Sequence, residues 1–224
     1  MKDVTLVIPA KFESESLPRV ICELQKFPVK KIIVMPKDDV LTFDSIKKYK
    51  CKIIFQKKKG YGSALSQGIF SVKTKYFCIF NADGAFNPKY LKKMLTKLNQ
   101  GNHFVFNTRY AKNAGSDDDT IITLIGNYFF SYLCNLLFNI NISDILYTFV
   151  IGNTNQIVGL DLKQKDFTFC VELPIKAKLN NLSIASIKSH ERKRIAGKKK
   201  VNEIYDGFLI LIHILKLFCK KKFN

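Results

Sequence analysis

The segment from Tyr76 to Leu91 reads Tyr-Phe-Cys-Ile-Phe-Asn-Ala-Asp-Gly-Ala-Phe-Asn-Pro-Lys-Tyr-Leu and is the most informative stretch of the chain. Its apolar first part, Tyr76 to Phe80, is typical of a strand buried in a parallel sheet. After a polar turn, Pro88 begins a helical pattern of apolar residues. Open α/β sheets bind ligands where a strand ends in such a turn, so we expect a ligand site here.

The polar turn Asn81-Ala82-Asp83-Gly84 places an amide oxygen and a carboxylate at the end of this strand. Two oxygen ligands at this spacing suit a hard divalent cation, Mg²⁺ or Mn²⁺. The alternative is a plain strand-to-helix turn in which Asp83 only caps, since Asx-Gly turns are common. The residues of the turn alone leave both interpretations open.

Strand and helix patterns alternate through the first half of the chain. The expected strands are Val4–Ile8, Lys31–Met35, Lys52–Phe55, Tyr76–Phe80 and His103–Asn107. The expected helices are Leu17–Phe27, Thr42–Tyr49, Gly60–Val72 and Pro88–Leu98. This βαβ rhythm predicts the α/β class, with a doubly wound, mainly parallel central sheet flanked by helices.

The alternation stops after about residue 110. Helices are expected at Thr120–Phe138, Glu172–Leu179 and Glu203–Phe218, and a strand at Ser183–Ile187. Neither a repeat nor a linker-like stretch divides the chain, so we expect a single domain over residues 1–224. Residues up to about 108 would form a nucleotide half, and residues from about 109 an acceptor half.

The composition is that of a folded, strongly basic protein. Hydrophobic residues make up 47% of the 224 residues, enough to bury a core, and the net charge is +19. The charge indicates an anionic partner, or else a compositional bias in which dispersed lysines form solvated faces. A nucleic-acid-binding module would cluster basic and aromatic residues on one face, so no nucleic acid partner is expected.

Cysteine use and the N-terminus both favour a cytoplasmic location. Six cysteines are scattered without a CxxC pair and mostly lie in apolar runs. This is typical of reduced cysteines that fill the core of a cytosolic protein. The N-terminus leads straight into a predicted strand, which indicates that no signal peptide is present.

Four further motifs lie at strand ends or helix starts. They are the loop Pro9-Ala10-Lys11-Phe12-Glu13, the helix start Gly60-Tyr61-Gly62, the strand end Asn107-Thr108-Arg109-Tyr110 and the basic loop Arg192–Lys200. Paired glycines let a backbone approach a ligand closely, and arginine binds phosphate through two parallel hydrogen bonds. Each motif is weak by itself, and their order and spacing together are much more specific.

With these motifs in this order, the chain resembles the inverting glycosyltransferases of family 2, which have the GT-A fold. Within that family it looks most like the polyprenyl- or dolichyl-phosphate sugar transferases, over about residues 4–215. The family patterns V-I-P-x-x-N-E, G-x-G-x-A-L, D-x-D, G-S-R-Y and R-x-x-G-x-S-K match residues 7–13, 60–65, 81–83, 107–110 and 194–200. A G-N … D-x-x-x-x-F pattern matches Gly126-Asn127 and Asp144 to Phe149.

The resemblance implies transfer of a hexose, with inversion, from a UDP- or GDP-sugar to a polyprenyl phosphate or related envelope-glycan acceptor. The implied donor-binding residues are Pro9, Ala10, Lys11, Glu13, Gly60, Gly62, Asn81, Ala82 and Asp83. The implied metal ligands are Asn81 and Asp83, and the implied catalytic residues are Asp83, Arg109, Asp144, Arg194 and Lys200. A divalent cation on Asp83 and the three basic side chains would stabilise the departing diphosphate.

The acceptor decides whether a base is needed. A lipid phosphate is already anionic, whereas a hydroxyl must lose its proton to a carboxylate, for which Asp144 and Glu172 are the candidates. The alternatives are that Asp144 caps a helix and that Glu172 is a helix-start charge. Residues 117–119, all Asp, are expected to cap the following helix, and His103, His190 and His213 to be structural.

The chain departs from the family patterns at Phe12, which stands in place of Asn, and at Lys199, which stands in place of Ser. Two further departures bear directly on the donor and the metal. Pro36-Lys37, followed by Asp38-Asp39, stands where relatives have an acidic pair, and Asn81 replaces the first Asp of the metal motif. An amide oxygen brings no charge, so we expect weaker metal binding, and a catalytically weak or inactive member is an alternative. A sugar-phosphate nucleotidyltransferase is an alternative enzyme class with a similar sheet. Such an enzyme would have a glycine- and arginine-rich loop in place of residues 9–13, and the absence of that loop here argues against this class.

The C-terminal segment bears on membrane binding. Residues 207–218 are strongly apolar but too short to span a bilayer, and residues 220–222 are all lysine. The segment is either an interfacial helix on the anionic inner leaflet or a core helix. In the helix at 120–138, Asn127, Ser131 and Asn135 favour burial or an acceptor groove over a membrane span.

Overall fold

A seven-stranded sheet lies at the centre of the computed structural model, which describes residues 1–223. Its strands are β1 (Val4–Pro9), β2 (Lys30–Met35), β3 (Lys52–Phe55), β4 (Tyr76–Ile79), β5 (Phe104–Thr108), β7 (Val150–Asn153) and β8 (Ile184–Lys188). The short strands β6 (Gly115–Ser116) and β9 (His190–Glu191) pair in a second, two-stranded sheet. The predicted α/β class with a mainly parallel sheet is confirmed.

Helices cover both faces of the sheet. They are α1 (Leu17–Glu23), α2 (Val40–Ile46), α3 (Tyr61–Ile69), α4 (Tyr90–Asn99), α5 (Ile121–Phe138), α6 (Thr154–Val158), α7 (Phe169–Leu179) and α8 (Glu203–Phe223). Most predicted boundaries hold to within a few residues. The largest differences are that α1 ends early, before a 3₁₀ turn at Leu24–Lys26, and that α8 extends past residue 218.

The strand order is β3-β2-β1-β4-β7-β5-β8, and β7 runs antiparallel to both of its neighbours. This central strand was not predicted, because Val150–Asn153 is short and contains a glycine, which weakens a strand pattern. Packing explains the glycine: a Cβ on Gly152 would lie 2.4 Å from the Phe104 ring.

Alternate residues of the central strands pack into two hydrophobic cores, one on each face of the sheet. Val7 and Phe77 face the core that α3, α5, α7 and α8 cover, whereas Ile8 and Cys78 face the core that α1, α2 and α4 cover. Both faces of a doubly covered parallel sheet are apolar, which explains the continuous hydrophobic runs of β1 and β4. Because β1 is parallel to both β2 and β4, the carboxyl ends of these three strands meet at one edge of the sheet.

Candidate active site

A cleft of about 1100 Å³ opens at the carboxyl ends of β1, β2 and β4. Residues from both halves of the chain line it. Of the predicted donor-binding residues, Pro9, Ala10, Lys11, Glu13, Gly60, Asn81, Ala82 and Asp83 do so, and Gly62 does not. Of the predicted catalytic residues, Asp83, Arg109, Arg194 and Lys200 line the cleft, and Asp144 does not.

Two hydrogen bonds, one to its side chain and one to its backbone carbonyl, hold Asp83 at the end of β4. Its Oδ1 accepts a hydrogen bond from the Ala85 N–H at 3.0 Å, and its carbonyl accepts one from the Ile195 N–H at 2.8 Å. Burial raises the pKa of Asp83, and the Ala85 N–H and Arg194 oppose that rise. Since α4 begins at residue 90, Asp83 caps the turn and not the helix.

Asn81 and Asp83 offer oxygen atoms of the kind that Mg²⁺ and Mn²⁺ prefer. The Tyr61 hydroxyl lies 3.5 Å from Asn81 Oδ1 and 2.8 Å from Thr148 Oγ1, so the amide oxygen is only weakly engaged. Within residues 1–223, no group of three or more His, Cys, Asp or Glu side chains is placed to hold a metal ion. The pair therefore fits a cation whose remaining ligands come from a bound diphosphate or water.

The two acidic residues after β2, Asp38 and Asp39, differ in whether they face the cleft. Asp39 caps α2 by accepting the Thr42 N–H at 3.2 Å, and it also accepts the Phe12 N–H at 2.6 Å. Asp39 thus fixes the shape of the loop at residues 9–13. Asp38 and Lys37 line the cleft. Asp38 is consequently the acid at the end of β2 that a ligand can reach.

The two glycines at the start of α3 contact the protein's own backbone. Gly60 has a φ of 111°, and a Cβ there would lie 2.1 Å from the Lys165 carbonyl oxygen. A Cβ on Gly62 would lie 2.5 Å from the Gln164 carbonyl oxygen. Residues 164–166 therefore make the close approach that both glycines allow. Gly60 also lines the cleft, as predicted for a donor-binding residue, whereas Gly62 is turned to the protein's own backbone and lies outside the cleft.

The basic loop crosses the cleft and is tied down by acids. Arg194 pairs with Asp118 and lies 3.8 Å from the Asp83 carboxylate. The Lys200 ammonium pairs with the Glu13 carboxylate. Arg192 instead turns away and pairs with Glu23 at 2.8 Å. Arg194 and Lys200 thus bring positive charge to the wall that contains Asp83.

Arg109 belongs to a buried ion cluster. Its guanidinium binds both oxygens of Asp144, at 2.8 and 3.0 Å, and Glu191 at 2.9 Å, and it lies over the Tyr147 ring. Asp144 is 0% exposed. It does not begin a helix, so the capping alternative is wrong. Its placement is that of a positioning residue for Arg109, and it is out of reach of an acceptor hydroxyl.

Glu172 is likewise fully buried and outside the cleft. Its carboxylate accepts hydrogen bonds from the N–H groups of Lys163 and Gln164 and pairs with Lys176 at 2.8 Å. Glu172 lies in the first turn of α7, as its helix-start alternative predicted. It therefore anchors the segment that packs on the α3 glycines, and this geometry argues against a role as base.

The acidic run at residues 117–119 is not the cap that the sequence predicted. Thr120 caps α5 through the Thr123 N–H. The three acids contact three different side chains: Asp117 contacts the His190 ring, Asp118 pairs with Arg194, and Asp119 pairs with Arg109. Glu191 and Tyr61 were not predicted as site residues. The acidic run and the arginines can be recognised in the sequence, but the sequence does not indicate which acid pairs with which arginine.

Comparisons with known proteins agree with this architecture. Residues 5–155 match the model of the family described as Glycosyl transferase family 2. An uncharacterized glycosyltransferase of Mycobacterium tuberculosis is 22% identical over 211 residues, which cover 93% of this chain and 94% of that protein. A counterpart from Mycobacterium bovis matches to the same extent.

Solved structures show the same fold. Glucosyl-3-phosphoglycerate synthase from Mycobacterium tuberculosis, in complex with phosphoglyceric acid, has a TM-score of 0.75 at 14% identity, covering 96% of this chain and 79% of that chain. The same enzyme has been solved with Mn²⁺, UDP-glucose and phosphoglyceric acid, with a TM-score of 0.73 at 14% identity and the same coverage. Mannosyl-3-phosphoglycerate synthase from Rubrobacter xylanophilus has a TM-score of 0.74 at 12% identity, covering 98% and 74%.

Proposed function

The chain belongs to glycosyl transferase family 2, and we propose that it transfers a hexose, with inversion, from a UDP- or GDP-sugar to a polyprenyl phosphate or related envelope-glycan acceptor. The observation that carries the proposal is the position of Asp83. It lies at the carboxyl end of β4, within the cleft, and faces the basic side chain of Arg194. A carboxylate and a fixed cation at one spot suit a metal-bound diphosphate.

The donor half of the cleft suits a nucleotide diphosphate. Residues 9–13 and Asp38 line its β1 and β2 side, where we place the nucleoside. We place the diphosphate between Asp83 and the basic loop that contains Arg194 and Lys200. The similar structure solved with Mn²⁺ and UDP-glucose supports a UDP-sugar among the donors to be tested.

Asn81 and Asp83 are the residues that would hold a divalent cation. When bound, the cation would withdraw charge from the leaving diphosphate as a Lewis acid. The residues of the chain have other tasks. Arg194 and Lys200 are held in the cleft by Asp118 and Glu13, so that their charge is already oriented when the donor binds.

The state of the carboxylates favours a phosphate as the acceptor group. Among the carboxylates that line the cleft, Glu13 is engaged with Lys200, Asp119 with Tyr110 and Glu191 with Arg109. The two predicted bases, Asp144 and Glu172, lie in buried ion pairs. A carboxylate whose oxygens are already engaged in ion pairs or hydrogen bonds is not free to take a proton from an acceptor hydroxyl, whereas a phosphate is anionic at neutral pH and needs no base.

A catalytically weak or inactive protein is the second candidate, and Asn81 is the observation that favours it. An amide in the metal motif brings no negative charge, so more of the affinity for the cation must come from Asp83 and the donor.

We place the protein in the cytoplasm, with a peripheral position on the inner face of the membrane, because a polyprenyl phosphate is anchored there.

Thermal shift measurements with UDP-, GDP- and dTDP-sugars, with and without Mn²⁺, test the donor site first. Binding to the native state raises the melting temperature by mass action. We expect a shift with one nucleotide class that requires Mn²⁺ and that disappears in Asp83→Ala. The matched control is Asp44→Ala, because Asp44 is an exposed acid on α2 that pairs only locally with Lys47.

Product analysis then tests the acceptor. The purified protein, the donor identified above and Mn²⁺ are incubated with a short-chain polyprenyl phosphate or, separately, with 3-phosphoglycerate. Transfer to the prenyl phosphate supports the proposal, and transfer to 3-phosphoglycerate alone would replace its acceptor. Absence of any donor shift would favour the inactive candidate.

A further inference from the structure

Helix α5 exposes a long row of apolar side chains on the outside of the protein. Its exposed face carries eight large hydrophobic residues, Ile121, Ile122, Leu124, Ile125, Tyr128, Phe129, Tyr132 and Leu136. Tyr132 is 68% exposed and Ile125 is 64% exposed. Soluble proteins rarely leave so long an apolar stripe in contact with water, and such stripes are typical of surfaces that bind a protein or a membrane.

The polar residues of α5 face inward, where they hold the segment that follows the helix. Asn135 donates to the Ile142 carbonyl at 2.8 Å and accepts the Ile142 N–H at 3.0 Å. Ser131 Oγ accepts the Ile145 N–H at 3.0 Å, and Asn127 donates to the Tyr110 hydroxyl at 3.1 Å. These hydrogen bonds, together with the buried Phe130, Cys134 and Phe138, fix the inner face of the helix to the protein, and the apolar residues of the outer face are left exposed.

Helix α8 runs alongside α5 and extends the apolar surface. Thr123 donates to Glu203 at 2.7 Å near the first turns of both helices, and the rings of Phe138 and Phe218 lie 6.0 Å apart near their ends. On α8, the exposed hydrophobic residues are Ile204, Tyr205, Phe208 and Leu215. Together with the eight residues of α5 they form what we call the α5–α8 face.

Basic side chains flank the α5–α8 face at both ends. Lys199 donates to the Thr123 hydroxyl at 3.2 Å, beside the cleft. Lys216 and Lys220 are exposed near the other end of α8. Lys221 donates to the Leu137 carbonyl, and the side chain of Lys222, part of the predicted basic end, lies outside the described part of the chain. An apolar surface between basic residues suits an interface of lipid tails and anionic headgroups.

We propose that the α5–α8 face docks the protein on a bilayer of anionic phospholipid, with both helices lying in the plane of the interface. Tyr128, Tyr132 and Tyr205 suit the headgroup level, where aromatic side chains with a polar tip are enriched. The docking deepens the proposed function, on which it rests for the acceptor, because Thr123 and Asn127 of α5 also line the cleft. A lipid phosphate could enter the cleft while its chain stays in the bilayer.

Two other arrangements fit the structure less well. α5 is long and apolar enough to span a membrane by length and composition, but spanning would break the hydrogen bonds of Ser131 and Asn135 and remove Phe130, Cys134 and Phe138 from the core. A second copy of the chain would bring two proteins of net charge +19 together. An anionic bilayer has the complementary charge.

Vesicle flotation of the full chain tests the docking. We expect binding to vesicles of phosphatidylcholine mixed with phosphatidylglycerol, and weaker binding to phosphatidylcholine alone. The double variant Ile125→Glu, Tyr132→Glu should bind the mixed vesicles about tenfold or more weakly, since it places two charges on the membrane face. The matched control is Leu41→Glu, Val158→Glu, which makes the same charge change at exposed residues of α2 and α6 and should bind as the wild type does.

The outcomes separate this inference from the proposed function. Equal binding by the two double variants, or no binding by the wild type, would overturn the docking. A wild-type dimer in lipid-free sedimentation that Ile125→Glu, Tyr132→Glu dissociates, without vesicle binding, would assign the face to a second copy. Transfer to a water-soluble short prenyl phosphate is measured in parallel, so that activity without vesicle binding refutes only the docking, and vesicle binding without activity refutes only the proposed function.

Discussion

Two arginine clusters next to the cleft contain the same kinds of residue in different surroundings. Arg109 is 7% exposed and binds Asp144 and Glu191 at 3.0 Å or less. Arg194 is partly exposed, pairs with Asp118 and lies 3.8 Å from Asp83. Desolvated charges need their partners for stability, whereas partly exposed charges can exchange a partner for a ligand. The comparison indicates a structural role for the Arg109 cluster and a ligand-binding role for the Arg194 cluster.

The largest expected effect is on stability and belongs to the Arg109 cluster. Asp144→Ala leaves a buried guanidinium without its two-point partner, and we expect a loss of about 3–5 kcal/mol in the free energy of unfolding. Urea denaturation measures this loss. Asp44→Ala is the control, because Asp44 forms an exposed pair with Lys47 on α2 and its loss should change the free energy of unfolding only slightly. A similar small loss in Asp144→Ala would contradict the structural role of the cluster.

The next effect is on activity and belongs to Asp83. We expect Asp83→Ala to lower the turnover of the metal-dependent reaction about 100-fold, equivalent to about 2.7 kcal/mol, because the cation loses its charged protein ligand. Its unfolding curve should stay close to that of the wild type. Initial rates across Mn²⁺ concentrations measure the effect. Unchanged turnover with unchanged Mn²⁺ dependence would remove Asp83 from the site.

A smaller effect on activity is expected for Arg194. Arg194→Ala should lower turnover about tenfold, or about 1.4 kcal/mol, with little change in stability, since its ion pair is partly exposed. Lys193→Ala is the matched control, because Lys193 is an exposed cation on the same loop that does not line the cleft. Equal rates for the two variants would show that general positive charge, and not the position of Arg194, supports the reaction.

The smallest effect is a pH dependence of stability that distinguishes the buried cluster. Burial raises the pKa of Glu191, and Arg109 and Ser116 oppose that rise. The folded protein thus takes up this proton at higher pH than the unfolded chain does, so the contribution to stability is present at low pH and is lost as pH rises through the raised pKa. Compared with Glu191→Gln, the wild type should gain stability as pH falls from neutral. Urea denaturation of both proteins at several pH values measures this, and a constant difference would contradict it.

Family membership and the general activity could be predicted from the sequence. The resemblance to family 2 glycosyltransferases is confirmed by the match over residues 5–155, and the chain is a glycosyltransferase. The narrower branch and its acceptor stay proposals. The similar solved structures named above are a mannosyl- and a glucosyl-3-phosphoglycerate synthase. The division into a nucleotide half and an acceptor half also stays a prediction.

Helices and strands of the first half were predictable because their patterns are local. Residues 76–79 form the central strand β4 as expected, and the helix after Pro88 begins at residue 90. The central strand β7 was not predicted. Its place between β4 and β5 depends on contacts of Gly152 with Phe77 and Phe104, residues that are distant in the chain.

Candidate residues at strand ends were easier to find than their roles. Asp83 and residues 9–13 line the cleft because the carboxyl ends of parallel strands meet at one edge of the sheet. Asp144 and Glu172 looked like accessible bases, but burial and ion pairing remove both from the cleft. The glycines at residues 60 and 62 were recognised as close-approach positions, although what approaches them is the backbone at residues 164–166.

Periodicity and turn chemistry act over a few residues, and they were enough to determine the α/β sheet, the turn at residues 81–84 and the position of the cleft. The choice of ion-pair partners was made by the tertiary structure. Glu191 is 82 residues from Arg109, Asp118 is 76 residues from Arg194, and Glu13 is 187 residues from Lys200. The tertiary structure also decided which face of α5 is exposed. A charge or an apolar stripe is visible in the sequence, but its partner and its exposure follow only from packing across the whole chain.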